Sequence, residues 1–89
     1  MPALDIEIIN KLGLHARAAS KLVTVAGKFA CEINIAKGDK VVDGKSIMSV
    51  MMLAASKGTH LTIKATGDDQ EQALEAIRLL INNKFDEDE

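Results

Sequence analysis

Residues 4–26 read LDIEIINKLGLHARAASKLVTVA, and within this stretch the spacing of apolar residues changes from every second position to every third or fourth. The alternation over residues 4–8 predicts a half-buried β-strand that ends at Asn10-Lys11. From Ala16 the apolar residues fall on one helical stripe, which predicts an α-helix closing at Gly27. The chain therefore begins with a strand followed by a helix.

The remainder of the chain shows the same two spacings. Alternating apolar residues predict strands at 31–35, 41–42 and 61–65. Helical spacing predicts a short helix that starts at Ser46 and ends at a glycine C-cap, Lys57-Gly58, and a longer helix containing residues 73–81. Asp68 and Asp69 precede that longer helix and are expected to cap it, whereas Phe85 and the acidic residues 86–89 follow it.

The predicted element order is βαββαβα, which is typical of an α+β fold. Helices with one apolar stripe must cover one face of an antiparallel sheet, so we expect a two-layer open-faced sandwich with all three helices on the same side. A chain of 89 residues is the size of one domain, and we assign residues 1–89 to it. The acidic end, 86–89, is expected to be a solvated tail without a function.

Composition excludes several classes of function. With a net charge of −2, no Trp or Tyr and no local cluster of Lys or Arg, the chain lacks the basic and aromatic surface that nucleic acids require. No stretch is long and apolar enough to span a membrane, and no secretory signal precedes the first strand. Cys31 is the single cysteine, so no internal disulfide can form. We expect a cytoplasmic protein.

His15 lies at the junction between the first strand and the first helix. The first turn of a helix has unpaired N–H groups and a positive dipole end, which favour an anion and disfavour a protonated imidazole. A neutral His15 could therefore act as a nucleophile, and Arg17, two residues later, could bind phosphoryl oxygens. The residues alone also fit a histidine that serves only as a polar helix cap, which is the commoner role for an isolated histidine before a helix.

Other phosphate and metal sites are disfavoured. Gly44-Lys45-Ser46 has the end of a P-loop motif, but Asp39 occupies the position that requires glycine. His15, His60 and Cys31 fall on separate predicted elements without the spacing of metal ligands. We therefore expect no metal and no cofactor.

Residues 10–19, NKLGLHARAA, resemble the phosphorylation-site signature of the HPr family, and the likeness extends over essentially the whole chain. The resemblance implies an open-faced sandwich with strand order 1-4-2-3. It also implies a stoichiometric carrier rather than an enzyme, in which Nδ1 of His15 accepts a phosphoryl group from phospho-enzyme I, itself charged from phosphoenolpyruvate. Arg17 would then assist transfer to enzyme II-A acceptors. Many members have Pro where this chain has Ala18, and we expect that difference to loosen the helix start without loss of activity.

A second segment, Lys45-Ser46-Ile47-Met48 with Met51, resembles the regulatory region of the same family. By resemblance, Ser46 would be phosphorylated by an HPr serine kinase/phosphorylase, although its residue type and position also fit an ordinary N-cap. Exposed methionines suit a protein that docks several partners. We expect a docking face formed by Ala16, Ser20, Thr24, Ile47, Met48 and Met51 beside Arg17.

One competing interpretation is a ferredoxin-like regulatory or ligand-binding module, which has a similar element order and needs no phosphohistidine. The motifs around His15 and Ser46 favour the carrier. The sequence resembles both the sugar-transport and the nitrogen-related branches of the family, so it does not identify the acceptor. We expect a monomer.

Overall fold

The computed structural model describes residues 3–87 of the chain. The strands are β1 (Ala3–Glu7), β2 (Glu32–Lys37), β3 (Lys40–Asp43) and β4 (His60–Thr66). The helices are α1 (Ala16–Ala26), α2 (Ile47–Met51) and α3 (Gln70–Asn82), and a 3-10 turn, Lys84–Asp86, follows α3.

Within residues 3–87 the strands form a four-stranded sheet in the order β1-β4-β2-β3, with every neighbouring pair antiparallel. Ile63 at the centre of β4 faces Leu4 on one side and Ile35 on the other. Side chains of alternate residues therefore line the same face, and the apolar residues of β1, β2 and β4 lie on the helix side. The predicted α+β class and strand order are confirmed.

The core lies between the sheet and the layer of three helices that the described residues form. Each helix contributes one buried stripe, such as Leu22 of α1, Val50 of α2 and Ile77 of α3. Phe85 is also fully buried and is one of the largest side chains in this core. Within residues 3–87 no helix covers the opposite face of the sheet, which carries polar side chains such as Asp5 and Thr62. The hydroxyl of Thr62 donates to the Asp5 carboxylate at 2.8 Å.

The predicted end of the second helix, at Lys57-Gly58, is wrong. Helix α2 ends at Met51, because Leu53 turns into the core and Ala54 adopts a left-handed conformation with φ of 53°. Gly58 does not cap this helix; its N–H donates to the Ile8 carbonyl at 2.7 Å and leads the chain into β4. Buried Leu53 thus overrides the helical spacing that continues in the sequence.

Asp69 does not cap α3 with its side chain, contrary to the sequence prediction. It occupies the N-cap position, but its carboxylate accepts hydrogen bonds from the backbone N–H groups of Ala30 at 2.8 Å and Cys31 at 3.0 Å. These hydrogen bonds keep the pKa of Asp69 below its usual value. Asp69 therefore joins the start of α3 to the segment that enters β2.

Candidate functional site

His15 is the N-cap residue of α1. Its backbone is extended, with φ of −75° and ψ of 179°, and its carbonyl accepts the first helical hydrogen bond, from Ala19 at 2.8 Å. Its side chain makes no capping bond, so the N–H groups of the first turn are left to an external acceptor. The imidazole is partly accessible, with 28% of the side chain exposed. These features match the predicted anion site at a helix start.

The loop before His15 is fixed by close backbone packing. Gly13 has φ of +68°, and a Cβ at this position would lie 2.7 Å from the carbonyl oxygen of Ala55. That same carbonyl accepts a hydrogen bond from the N–H of Leu14 at 2.8 Å. Leu14 is buried, so the residue immediately before His15 is anchored on both its backbone and its side chain. Glycine is required at position 13 because the backbone there is left-handed and because a side chain would collide with the backbone of Ala55.

The carboxylate of Glu87 contacts the imidazole of His15. Oε2 of Glu87 lies within hydrogen-bonding distance of Nε2 of His15, which leaves Nδ1 as the ring nitrogen without this contact. Only 14% of the Glu87 side chain is exposed. The expectation that the acidic end is a solvated tail is therefore wrong at Glu87, whereas Asp88 and Glu89 lie outside the described residues.

Asn10 holds the other oxygen of this carboxylate. Nδ2 of Asn10 donates to Oε1 of Glu87 at 2.9 Å and to the carbonyl oxygen of Gly13 at 2.8 Å. Asn10 is fully buried. The hydrogen bond from Asn10 is the largest cause of a lowered pKa at Glu87; the contact with His15 and the charge of Arg17 lower it further, against a smaller opposing effect of burial. Glu87 is therefore ionised at neutral pH.

The 3-10 turn after α3 brings Glu87 to His15. Lys84, Phe85 and Asp86 all have left-handed backbone conformations, with φ of 56°, 55° and 63°. Burial of the Phe85 ring fixes this turn against the core. Nζ of Lys21 in α1 donates to the Phe85 carbonyl at 2.8 Å and lies 3.6 Å from the Asp86 carboxylate. Helix α1 therefore carries His15 and also positions the turn that delivers Glu87.

Sequence reasoning missed Asn10 and Glu87 as members of this site. The sequence places Asn10 at the end of a strand and at the start of the family signature without indicating its contact with Glu87, and Glu87 lies 72 residues from His15 along the chain. The signal in the sequence was Phe85, a rare aromatic residue just after a helix. An apolar ring there is expected to pack on the core, which would also place the residues next to it, including Glu87, against the core.

Arg17 lies in the first turn of α1 and is exposed. Its positive charge acts on Glu87, the same carboxylate that contacts His15. Arg17 is two residues after His15 in the chain, so both belong to the start of α1. This arrangement agrees with the predicted pairing of His15 with Arg17.

The residues predicted to form a docking face are all exposed. Helices α1 and α2 pack against each other, and Met48 is 70% exposed whereas Ile47 and Met51 are about half as exposed, at 38% and 40%. Leu12, in the loop before His15, is 67% exposed and was not predicted as part of the face. The predicted docking face comprises Ala16, Ser20, Thr24, Ile47, Met48 and Met51, all of which are exposed.

Ser46 is the N-cap of α2. Its Oγ accepts a hydrogen bond from the N–H of Ser49 at 3.4 Å, near the upper limit for such a bond. The side chain is partly exposed and adjoins Ile47 of the docking face. The predicted capping role is confirmed.

Among residues 3–87 no cluster of His, Cys, Asp and Glu has an arrangement that could hold a metal ion. In that same range no helix has the length and apolar character needed to cross a bilayer. Cys31 is buried, and burial together with the neighbouring Asp69 raises the pKa of its thiol.

An open-faced sandwich that presents a histidine at a helix N-terminus, with an arginine in the first turn, defines the class of small histidine phosphocarriers. Residues 3–83 match the family model described as "PTS HPr component phosphorylation site". The chain belongs to this family, the HPr phosphocarriers of the phosphotransferase system. This assignment decides against the ferredoxin-like ligand-binding module.

Named relatives and solved structures agree with the assignment. The chain is 58% identical to phosphocarrier protein HPr of Pseudomonas aeruginosa over 90 aligned positions that cover both chains completely. It is 44% identical to phosphocarrier protein NPr of Shewanella violacea, over 93% of this chain and 91% of the relative. The crystal structure of HPr-C-His from Thermoanaerobacter tengcongensis superposes with a TM-score of 0.96 at 45% identity, covering all of both chains.

Proposed function

We propose that His15 is the residue that accepts and donates the phosphoryl group, through Nδ1. The observation that carries this proposal is the place of His15 at the N-terminus of α1, with a partly exposed ring whose Nε2 is already in contact with Glu87. The lone pair of Nδ1 is then free to attack phosphorus. The first-turn N–H groups provide donors for the oxygens of the transferred group.

Arg17 is proposed to stabilise that group during transfer. A charged hydrogen bond contributes about 1.5–3 kcal/mol, and a helix terminus contributes about 0.3–1 kcal/mol. A carrier needs interactions of this size, because each additional ~1.4 kcal/mol of ground-state stabilisation would slow onward transfer tenfold. The exposure of Arg17 leaves it able to follow the phosphoryl group to the next protein.

Phospho-enzyme I is the proposed donor, and enzyme II-A proteins are the proposed acceptors. The docking face adjoins His15 and presents small residues of α1 next to the flexible apolar side chains Met48 and Met51. Such side chains repack at little cost and suit several partners. The chain itself would act as a stoichiometric carrier, not as an enzyme, as one domain of residues 1–89. We propose that this relay operates in the cytoplasm with a monomer.

The test is a phosphorylation assay with phosphoenolpyruvate and enzyme I. The wild-type protein is expected to acquire an acid-labile, base-stable phosphoryl group and to pass it to an enzyme II-A protein. His15→Ala should abolish both steps. His60→Ala is the matched control, because His60 is exposed at the start of β4 and pairs with Glu7 away from the site. Labelling of the His15→Ala protein would contradict the proposal.

The same assay assigns the branch. Charged protein is offered to an enzyme II-A of a sugar permease and to its nitrogen-related counterpart, and the acceptor that is phosphorylated faster identifies the pathway. Relatives named HPr are 43% to 58% identical to this chain and one named NPr is 44% identical, so the acceptor assay decides the branch.

Ser46 is proposed as a regulatory phosphorylation site for an HPr serine kinase/phosphorylase. A phosphate there would add nearly two negative charges beside Ile47 and Met48. Those residues belong to the docking face, so the added charge would weaken the approach of a partner. Incubation with such a kinase and ATP should label the wild-type protein and leave Ser46→Ala unlabelled.

A further inference from the structure

We propose that Glu87 is a positioning residue for phosphoryl transfer: it holds the proton of the His15 imidazole on Nε2 and so presents Nδ1 as the nucleophile. The inference rests on the proposed function of His15 and extends it to a residue in the C-terminal segment. It follows from one contact, between Oε2 of Glu87 and Nε2 of His15, and from the residues that fix this contact.

The first step concerns the tautomer of His15. A neutral imidazole carries its proton on one nitrogen and a lone pair on the other. A carboxylate only accepts hydrogen bonds, so its presence at Nε2 requires the proton to be there. Nδ1 then carries the lone pair. The contact thus selects which nitrogen can attack.

The second step concerns the geometry of the carboxylate. Glu87 has only 14% of its side chain exposed, and its other oxygen accepts the 2.9 Å hydrogen bond from buried Asn10. Asn10 is held in turn by its 2.8 Å bond to the Gly13 carbonyl, within the loop that ends at His15. The carboxylate is therefore oriented by the same loop that positions the imidazole. A carboxylate fixed in this way restricts rotation of the ring.

The third step concerns charge during the reaction. The lone pair of Nδ1 forms a bond to phosphorus while the bond from phosphorus to the donor atom breaks, and the electron pair of that bond leaves with the donor. The Nε2 proton stays on the His15 ring, which becomes more positive as the new bond forms. The Glu87 carboxylate stabilises this developing charge, as buried carboxylates do for other nucleophilic or basic imidazoles. No water or additional reactant is consumed.

Nitrogen NMR of the imidazole tests the tautomer directly. In mildly alkaline solution, where histidine side chains are neutral, two-bond nitrogen–proton spectra of the labelled protein should show the Nε2–H form of His15. Glu87→Ala should add a population of the Nδ1–H form. Glu71→Ala is the matched control, because it makes the same substitution at an exposed glutamate in the first turn of α3, at the opposite end of that helix from the turn. It should keep the wild-type tautomer.

Transfer kinetics test the consequence. Glu87→Ala should lower kcat for phosphorylation by enzyme I roughly three- to tenfold, an effect between those of an exposed ion pair and a charged hydrogen bond. KM should stay near the wild-type value, since Glu87 is not part of the docking face. Glu71→Ala should leave both constants unchanged, and circular dichroism should show that both variants are folded.

Several outcomes would overturn the proposal. These are a wild-type tautomer in Glu87→Ala, a changed tautomer with an unchanged kcat, or an effect confined to KM. None of them would affect the role of His15, which is tested by His15→Ala alone. Failure of the positioning role and failure of the carrier function are thus distinguishable.

Discussion

The N–H of Leu14 donates a 2.8 Å hydrogen bond to the carbonyl oxygen of Ala55, so the residue before His15 is joined to the segment after α2. This bond runs from the motif around His15 to the segment that follows the motif around Ser46. It brings the loop that carries the histidine against the end of the segment that carries the docking methionines. The position of His15 therefore depends on the irregular turn after α2 as well as on α1.

Gly13→Ala should destabilise the protein and slow phosphorylation of His15. The new Cβ would meet the Ala55 carbonyl at 2.7 Å and the Ser56 Cα at 2.8 Å, in a backbone conformation with φ of +68°. Strain of this kind costs on the order of 1–3 kcal/mol. Urea denaturation measures the loss. Gly38→Ala is the control for the conformational part alone, because it has a similar φ of +58° but open space around its Cβ. Equal losses in the two variants would contradict the steric argument.

Arg17→Lys should slow transfer even though it keeps the positive charge. Lysine cannot reproduce the planar, bidentate donation of a guanidinium to phosphoryl oxygens. If one charged hydrogen bond is lost, a rate reduction of about tenfold is expected. The measurement is the single-turnover rate from charged protein to an enzyme II-A acceptor. Lys11→Arg serves as a control for general changes among basic residues near the loop. A rate in Arg17→Lys equal to wild type would exclude a specific role for the guanidinium.

Ser46 substitutions should separate capping from regulation. Ser46→Ala removes the acceptor for the N–H of Ser49, and the long 3.4 Å distance points to the lower end of the usual range, about 0.5–1 kcal/mol of lost stability. Its transfer rate should stay close to wild type. Ser46→Asp should retain a cap but add negative charge beside Ile47, raising KM for enzyme I. Identical kinetics for the Ala and Asp variants would argue against an electrostatic switch at this position.

Asp69 should make stability depend on acid. Because hydrogen bonds from Ala30 and Cys31 hold its pKa below the usual value, the folded state binds this proton less readily than the unfolded state. The stabilisation is therefore complete well above about pH 4, the ordinary value for Asp, and disappears as the pH falls through the lowered pKa of the folded state. Urea midpoints of wild type and Asp69→Asn should differ at pH 7 and converge in strong acid. A constant difference would contradict the assignment. Asp68→Asn is the neighbouring control.

Sequence reasoning predicted the fold well because the apolar spacing in β1, α1, β4 and α3 agrees with the burial that each element finally has. It failed where the burial of a single side chain determined where a helix ends or which way the backbone turns. Leu53 ends α2 early, and Phe85 bends the chain back toward α1, and neither effect has a periodic signature. His15 and Arg17 could be predicted because they adjoin a helix start. Glu87 could not, since its contact arises from a turn whose direction only packing determines.

The left-handed turn of Lys84, Phe85 and Asp86 has a consequence for local unfolding. Such conformations cost non-glycine residues roughly 1–2 kcal/mol each, and burial of one aromatic side chain supplies about 1.5–3 kcal/mol. The three penalties together are at least as large as the gain from the ring, so the turn is held by a small net free energy and can detach while the sheet and helices stay intact. Each such opening would return the Nε2 side of His15 to solvent. If His15 carries the phosphoryl group, its reactivity is thereby coupled to local opening of the segment that Phe85 anchors in the core.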